Sequence, residues 1–451
     1  MKTRVLLLSC CLAATTMKAE KPNVLFIAVD DLRAELGCYG VEQVHSPNID
    51  ALATRGMRFD NAYVQSSFCN PCRASFMTGL RPDKTGVLDN KSYFRDHLPD
   101  VQTLSEQFRI NGYYTCNFGK IFHGPTQMCD VERSWDQCEL PVTTPTGRRG
   151  KGRDMSNGKL KWCNWLACDG DDEDQADGQI AALAVKFLQA KHVKPFFLAV
   201  GFHKPHDPYH APAKYFDMYP ADQIKLYEDP PDQSPSPLFA KIRGFAKAFD
   251  EFTERDKKEF LRAYLACITF TDTQIGKVLQ ALQSSSHSDD TIIVFISDHG
   301  YHLGQRNWWN KNTLYEHTSR APLLVYTPAM RAKGTSCSSI IEFVDIYPTL
   351  IELCGVPAPS QKLDGRSFAS LLDNPQQPFK EAAYMQLLRG QVDGRAVRDQ
   401  RYRYIEFDQG QKGRELFDHN NDPDEFYNLV DNPEYSEVLK RMRKLLRRFP
   451  Q

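Results

Sequence analysis

The sequence predicts a doubly wound α/β protein, and three observations carry that expectation. Continuous apolar runs at 23–29 (NVLFIAV), 195–200 and 291–296 have the length and composition of strands buried on both faces of a parallel sheet. Helical patterns separate them: Ser46-Pro47 opens one, and a long one extends from about Glu254 to Gln283. The first and last runs end in acids, Asp30-Asp31 and Asp298-His299, where doubly wound folds bind ligands, outside the carboxyl ends of the strands.

Composition bounds the rest. A chain of 451 residues with 41% hydrophobic side chains is too apolar to be disordered and too long for one ordinary core, so two packed units are expected, one large. A formal net charge of -1 supplies no basic field for a nucleic acid partner. Past the N-terminus no apolar run reaches the roughly 20 residues that span a bilayer, so no stable membrane insertion is expected. Residues 1–19 read as a secretory signal peptide, with Lys2 and Arg4 before an apolar stretch from Val5 and a small residue at Ala19. Acylation at Cys10 competes, although it leaves an apolar stretch of only about five residues. Export follows, to the periplasm, the cell exterior or a lysosome. Thirteen cysteines become eleven once Cys10 and Cys11 leave, and export permits disulfides, with Cys129–Cys138 and Cys163–Cys168 as the expected pairs.

Residues 20–364 form the expected large unit. Within it, 125–175 reads as an irregular insertion with a basic piece (Arg148, Arg149, Lys151, Arg153) and an acidic one (169–174), the ordinary charge pattern of a solvated face. A second irregular stretch covers 205–249. Past Asp364-Gly365 the pattern shifts to short alternating strands and a basic terminal helix, a smaller unit over 365–451.

Unpaired acids at two strand ends repel one another, and a bound cation removes the conflict. Oxygen-rich ligands select Ca²⁺ or Mg²⁺ over zinc. Capping of a turn by Asp30 and Asp31 is the alternative, weakened by the repeat at Asp298. The densest chemistry lies at Cys69-Asn70-Pro71-Cys72-Arg73, where Pro71 marks a helix start and Cys69 sits at an anion-favouring N-terminus. A redox pair or a zinc half-site also fits two cysteines, but neither a thioredoxin-like context nor a second pair at ligand spacing is present.

Cys-x-Pro-x-Arg with Thr78-Gly79 beyond it resembles the sulfatase signature, in which the cysteine is oxidised to formylglycine. FFLAVGFHKPH at 196–206, DDLRAELGCYG at 30–40, GKIFH at 119–123 and SDHG at 297–300 resemble the iduronate-2-sulfatase-like branch, and the likeness covers nearly the whole chain past residue 21. Cys72 departs from the serine of many members. The resemblance implies an alkaline phosphatase-like fold, a doubly wound mixed sheet with a smaller C-terminal α+β subdomain. It implies a sulfuric ester hydrolase acting on a sulfated glycan or saccharide, a 2-O-sulfated uronic acid by branch, and a formylglycine-generating maturation enzyme as partner.

By that resemblance Cys69 becomes the nucleophile, and Asp30, Asp31, Asp298 and His299 join it around one Ca²⁺. Arg73 holds the formylglycine, Lys120 and Lys311 bind sulfate oxygens, His123 is the base that assists sulfate release, and His206 is the acid near the leaving oxygen. The chemistry agrees: a serine sulfate is hard to hydrolyse, whereas an aldehyde hydrate attacks sulfur with one hydroxyl and expels sulfate with the other. His203 either faces substrate or packs, and the same two readings stay open for Trp308 and Trp309. Tyr93, Arg95, Lys204 and Arg398 are candidate contacts for a carboxylate or second sulfate. The rivals are a phosphomonoesterase or phosphonate hydrolase on the same fold, and a non-catalytic binder of sulfated glycan with Cys69 unmodified.

Overall fold

A computed structural model describes residues 21–449, so the signal peptide over 1–19 and Cys10 lie outside the described residues. The strands are β1 (Asn23–Val29), β2 (Met57–Tyr63), β3 (Tyr114–Gly119), β4 (Gln137–Glu139), β5 (Gly150–Asp154), β6 (Asn164–Cys168), β7 (Phe196–Phe202), β8 (Tyr209–Pro212), β9 (Thr291–Ser297), β10 (Leu323–Tyr326), β11 (Thr335–Glu342), β12 (Ala383–Arg389), β13 (Val392–Arg398), β14 (Tyr402–Phe407) and β15 (Arg414–Asp418). The helices that matter below are α1 (Pro47–Arg55), α2 (Cys69–Thr78), α3 (Leu104–Ile110), α4 (Ala176–Gln189), α5 (Glu254–Gln283), α6 (Ile346–Leu353) and α7 (Ser436–Leu446).

Eight strands form one mixed sheet in the order β11-β2-β10-β9-β1-β7-β3-β4. β1 lies parallel between β7 and β9, while β10 runs antiparallel to β9 and β2. All seven residues of β1 are buried because successive side chains enter opposite layers. Leu25, Ile27 and Val29 pack with α1, α4 and α5; Val24, Phe26 and Ala28 pack with α2, α3 and α6. Each such side chain stabilises the fold by about 1.5–3 kcal/mol, and truncating Phe26 to alanine would cost about 3–5 kcal/mol. Thr253 and Asp256 close a capping box at the start of the 30-residue α5.

The insertion over 125–175 is more regular than its charge pattern suggests: β5 and β6 pair antiparallel, and β8 joins β6 in a three-stranded sheet. Strands β12 to β15 form a separate antiparallel sheet. One face carries Tyr384, Val397, Tyr404 and Leu416 against α7, and the other packs Ala383, Met385 and Phe417 on Tyr63, Leu314, Tyr315 and Ile340. Among the described residues no helix is long and apolar enough to cross a membrane.

The expected disulfides are corrected. Cys129, Cys138, Cys163 and Cys168 are free, as are the other cysteines among the described residues. Cys163 directly precedes β6 and Cys168 ends it, and five extended residues span roughly 16 Å, beyond the reach of a disulfide. Cys138 Sγ accepts from Asn117 Nδ2 at 3.4 Å, and Cys129 Sγ turns to the carbonyl of Pro125 at 3.7 Å.

Candidate active site

Register assembles the site. Val29 pairs with Ser297 on one side and Phe202 on the other, and Gly119 pairs with Gly201. The residues that follow, Asp30, Asp298, His203 and Lys120, therefore emerge from neighbouring strands at the same sheet edge. The amide of Asp298 donates to Val29 O at 3.0 Å, extending the ladder one step past the strand end. Asp31 turns the chain at a φ of 64°, a left-handed conformation that aspartate tolerates better than most residues. Its amide then donates to Asp298 Oδ1 at 3.1 Å.

Cys69 is the first residue of α2, whose ten residues are all buried and which ends at Gly79, where a φ of 70° suits glycine. Its Sγ lies 3.3 Å from His299 Nε2 and accepts from Lys311 Nζ at 3.3 Å. Burial, with Asp30 adding, pushes the Cys69 thiol well above the ordinary range. Cys72, one turn on, donates from Sγ to Asp298 O at 2.6 Å. Arg73 is fully buried and bonds Asp298 Oδ2 at 2.8 Å through Nε, and the carbonyls of Lys120 and Ile121 at 2.5 and 3.0 Å through Nη1. Its hydrogen bonds thus hold the surroundings of Cys69 and not Cys69 itself.

Lys311 Nζ reaches both oxygens of Asp31, at 2.5 and 2.7 Å, and Lys120 Nζ pairs with Asp30. Burial raises Asp30, yet Lys120, His206 and Arg73 outweigh it and hold that carboxyl well below its usual range. Asp31 is pushed well up by burial, with Asp30, Asp207 and Asp298 opposing Lys311. His299 Nδ1 donates to Gly300 O at 3.0 Å, and burial lowers this ring to about 4. Burial and Lys120 lower His123 to about 3, so its ring is neutral at physiological pH, and its Nδ1 has no hydrogen-bond partner. His206 Nε2 lies 3.9 Å from Asp31 Oδ2, and burial holds this ring well below the usual histidine range.

Asp30, Cys69, Asp298 and His299 bring one ligand atom each within 4.8 Å of one another, and Asp30, Asp31, Cys69 and His206 do the same. Asp30 Oδ1 is buried without a hydrogen-bond partner. Four buried carboxylates, Asp30, Asp31, Asp207 and Asp298, face the buried Arg73 and Lys311 and the half-buried Lys120, so a hard divalent ion fits the donor set. Glu316, His419 and Glu425 also converge, but Arg403 already neutralises Glu316 and Glu425 there.

Several expected sugar contacts are spent on the protein. Arg95 pairs with Asp130 and Glu106, and Tyr93 donates to Asp130 at 3.2 Å. Lys204 Nζ holds the carbonyls of His206 and Pro208, and Arg398 is buried beside Glu316. His203 Nδ1 pairs with Asp177 at 3.0 Å. Trp308 and Trp309 are buried among Phe249, Phe252 and Phe260. Asp207 was missed by the sequence reading: it contacts His206 at 3.5 Å and Tyr301 at 3.4 Å, and its only sequence signal was adjacency to His206.

Residues 22–356 match the family model described as Sulfatase, and 304–451 match N-sulphoglucosamine sulphohydrolase, C-terminal. A protein named sulfatase from Formosa agariphila is 33% identical over 99% of this chain and 92% of its own. Iduronate 2-sulfatase of Mus musculus is 34% identical over 75% of this chain and 69% of its own. A solved protein in complex with its substrate D-glucosamine-2-N,6-O-disulfate superposes with a TM-score of 0.77 at 23% identity, over 95% of this chain and 97% of its own.

Proposed function

The chain belongs to the sulfatase family and is related to iduronate 2-sulfatase, and from that premise we propose that this sulfuric ester hydrolase removes a 2-O-sulfate from a sulfated uronic acid. In the mature enzyme Cys69 is formylglycine and one Ca²⁺ is held by Asp30, Asp31, Asp298 and His299. The reading rests above all on the convergence of Asp30, Cys69, Asp298 and His299 within 4.8 Å at the ends of adjacent parallel strands.

In this structure Cys69 Sγ stands where the oxygens of the formylglycine hydrate would be. A thiol held in its neutral form is a weak nucleophile, which supports the modified residue as the working group. Formylglycine supplies a hydroxyl for attack on sulfur and a second hydroxyl for release of sulfate. Ca²⁺ supplies Lewis-acid polarisation of oxygens at sulfur. The chain's own residues do the rest. Arg73 fixes Asp298 and the carbonyls after β3, so it is a positioning residue. Lys311 places its ammonium against the nucleophile position, and Lys120 places a second beside Asp30. Both are aimed at sulfate oxygens as point charges. His123, neutral in the free enzyme, takes a proton as sulfate leaves. His206 donates to the leaving oxygen, its protonation favoured by the negative charge that the ester brings. Lys2, Arg4 and the apolar stretch behind them support export from the cytoplasm.

The test is desulfation of a defined panel of sulfated mono- and disaccharides by protein matured with a formylglycine-generating enzyme, with mass spectrometry across Cys69. Loss of the 2-O-sulfate by protein carrying an aldehyde at 69 is expected. Cleavage of aryl phosphate in preference to aryl sulfate, or full activity with an intact thiol, would overturn it.

A further inference from the structure

Arg389 ends β12, at the turn into β13, and is half-buried. Its Nη2 donates to the carbonyls of Asn312 and Ala240, its Nε has no hydrogen-bond partner, and among the described residues no carboxylate lies within ion-pair distance. Arg73, Arg95 and Arg398, by contrast, each have an acidic partner. A cation drawn out of water without a counter-ion is costly to the fold and is retained where an anion from outside completes it. Burial alone pushes the Arg389 guanidinium down to about 10, with no neighbouring charge contributing.

Its position says which anion. Asn312, whose carbonyl Arg389 holds, directly follows Lys311, and the Asn312 amide donates to Ser67 O, two residues before Cys69, at 3.3 Å. Arg389 therefore stands on the wall that joins the sulfate-facing lysine to the nucleophile, yet outside the buried charge cluster. Guanidinium is suited to carboxylate and sulfate alike, through charge-assisted N–H donors.

We propose that Arg389 binds a second anionic group of the substrate, a carboxylate or a further sulfate on the same or the adjoining sugar, and so selects polyanionic saccharides. This rests on the saccharide sulfatase reading above.

The experiment is calorimetric titration of the full chain, expressed without the maturation enzyme so that ligand is not turned over, in the presence of Ca²⁺. Three ligands are compared: a disulfated uronic-acid disaccharide, its carboxyl-reduced counterpart, and its counterpart without the second sulfate. One of the two deletions should weaken binding to the parent protein by about ten-fold or more, and which one does so identifies the anion. Arg389→Gln, which removes the charge and keeps a polar side chain, should erase that difference. Arg389→Lys, which keeps the charge, should retain part of it. A purely structural role for Arg389 weakens all three ligands together and leaves the ratio unchanged. Equal binding of all three by the parent, or an unchanged ratio in Arg389→Gln, overturns the proposal. Failure to bind any of them, with no release of sulfate from an aryl sulfate by matured enzyme, counts against the function itself.

Discussion

Lys311 Nζ sits between Asp31 and Cys69, 2.5 Å from one carboxylate oxygen and 3.3 Å from Sγ. No other lysine among the described residues touches both a strand-end acid and the nucleophile position. Loss of one preorganised charge at a developing oxyanion typically costs 10²–10³-fold. Lys311→Ala should therefore lower kcat/KM for an aryl sulfate by about that factor. Lys311→Arg should rescue little, because a planar fork cannot occupy the place of a compact ammonium. Steady-state assay decides, and a loss under about ten-fold in the alanine variant removes Lys311 from the machinery.

Asp30 Oδ1, buried without a hydrogen bond among four buried carboxylates, predicts coupling between cation and stability. Ligand that binds only the folded state stabilises by about 2.7 kcal/mol at a hundredfold excess over its Kd. Exhaustive chelation should lower both the melting temperature and the activity, and Ca²⁺ should restore both as its concentration rises. Asp298→Asn should blunt that response. A melting temperature indifferent to chelator and to Ca²⁺ refutes the cation site.

Asp30 and Asp298 were legible in the sequence because a fully buried strand announces itself as an unbroken apolar run, and the first acid past it must emerge at the sheet edge. The long α5 was legible from its period and its capping threonine. The strand β5, GKGRD, was not, since it has no apolar alternation and is held by pairing with β6 alone. Arg389 was equally silent: its meaning lies in the absence of an acidic partner, and ion pairs are a property of the folded chain. Trp308 and Trp309 show the converse, aromatic residues near a site that serve the core.

Glu342, at the end of β11, carries a pH dependence away from the site. Arg81 meets its two oxygens at 2.5 Å each, and Lys380 reaches Oε2 at 2.7 Å. Burial raises this carboxyl, but Arg81 and Lys380 outweigh burial and bring it from 4.5 to about 2. A carboxyl depressed on folding contributes stability that is fully present above its unfolded value and lost as pH falls toward the folded one. The window is pH 4.5 down to about 2, and the displacement corresponds to roughly 3 kcal/mol. Glu342→Gln should be destabilised most at neutral pH, with the gap to the parent closing below pH 4.5. Urea unfolding at several pH values measures it, and a gap constant from pH 7 to pH 3 contradicts it.

Arg403, in β14 and fully buried, ties the C-terminal sheet to the segment that carries Lys311. Its Nη1 donates to Leu314 O at 3.0 Å, and it pairs with Glu316 and Glu425. Glu425 in turn accepts from the Glu316 amide at 2.8 Å, and Tyr63 donates to Glu316 at 3.1 Å. Removing one member of such a buried network strands the opposite charges and costs about 3–5 kcal/mol. Arg403→Met should fall in melting temperature and, well below that temperature, lose kcat more than it raises KM, because Lys311 is only three residues from the freed carbonyl. Truncation after residue 364 should go further and yield no soluble protein, since it uncovers Tyr63, Leu314, Tyr315 and Ile340 together. A folded, active 20–364 fragment would show that Lys311 is positioned without the second sheet, and Arg403 would then be a surface-independent packing element with no hold on catalysis.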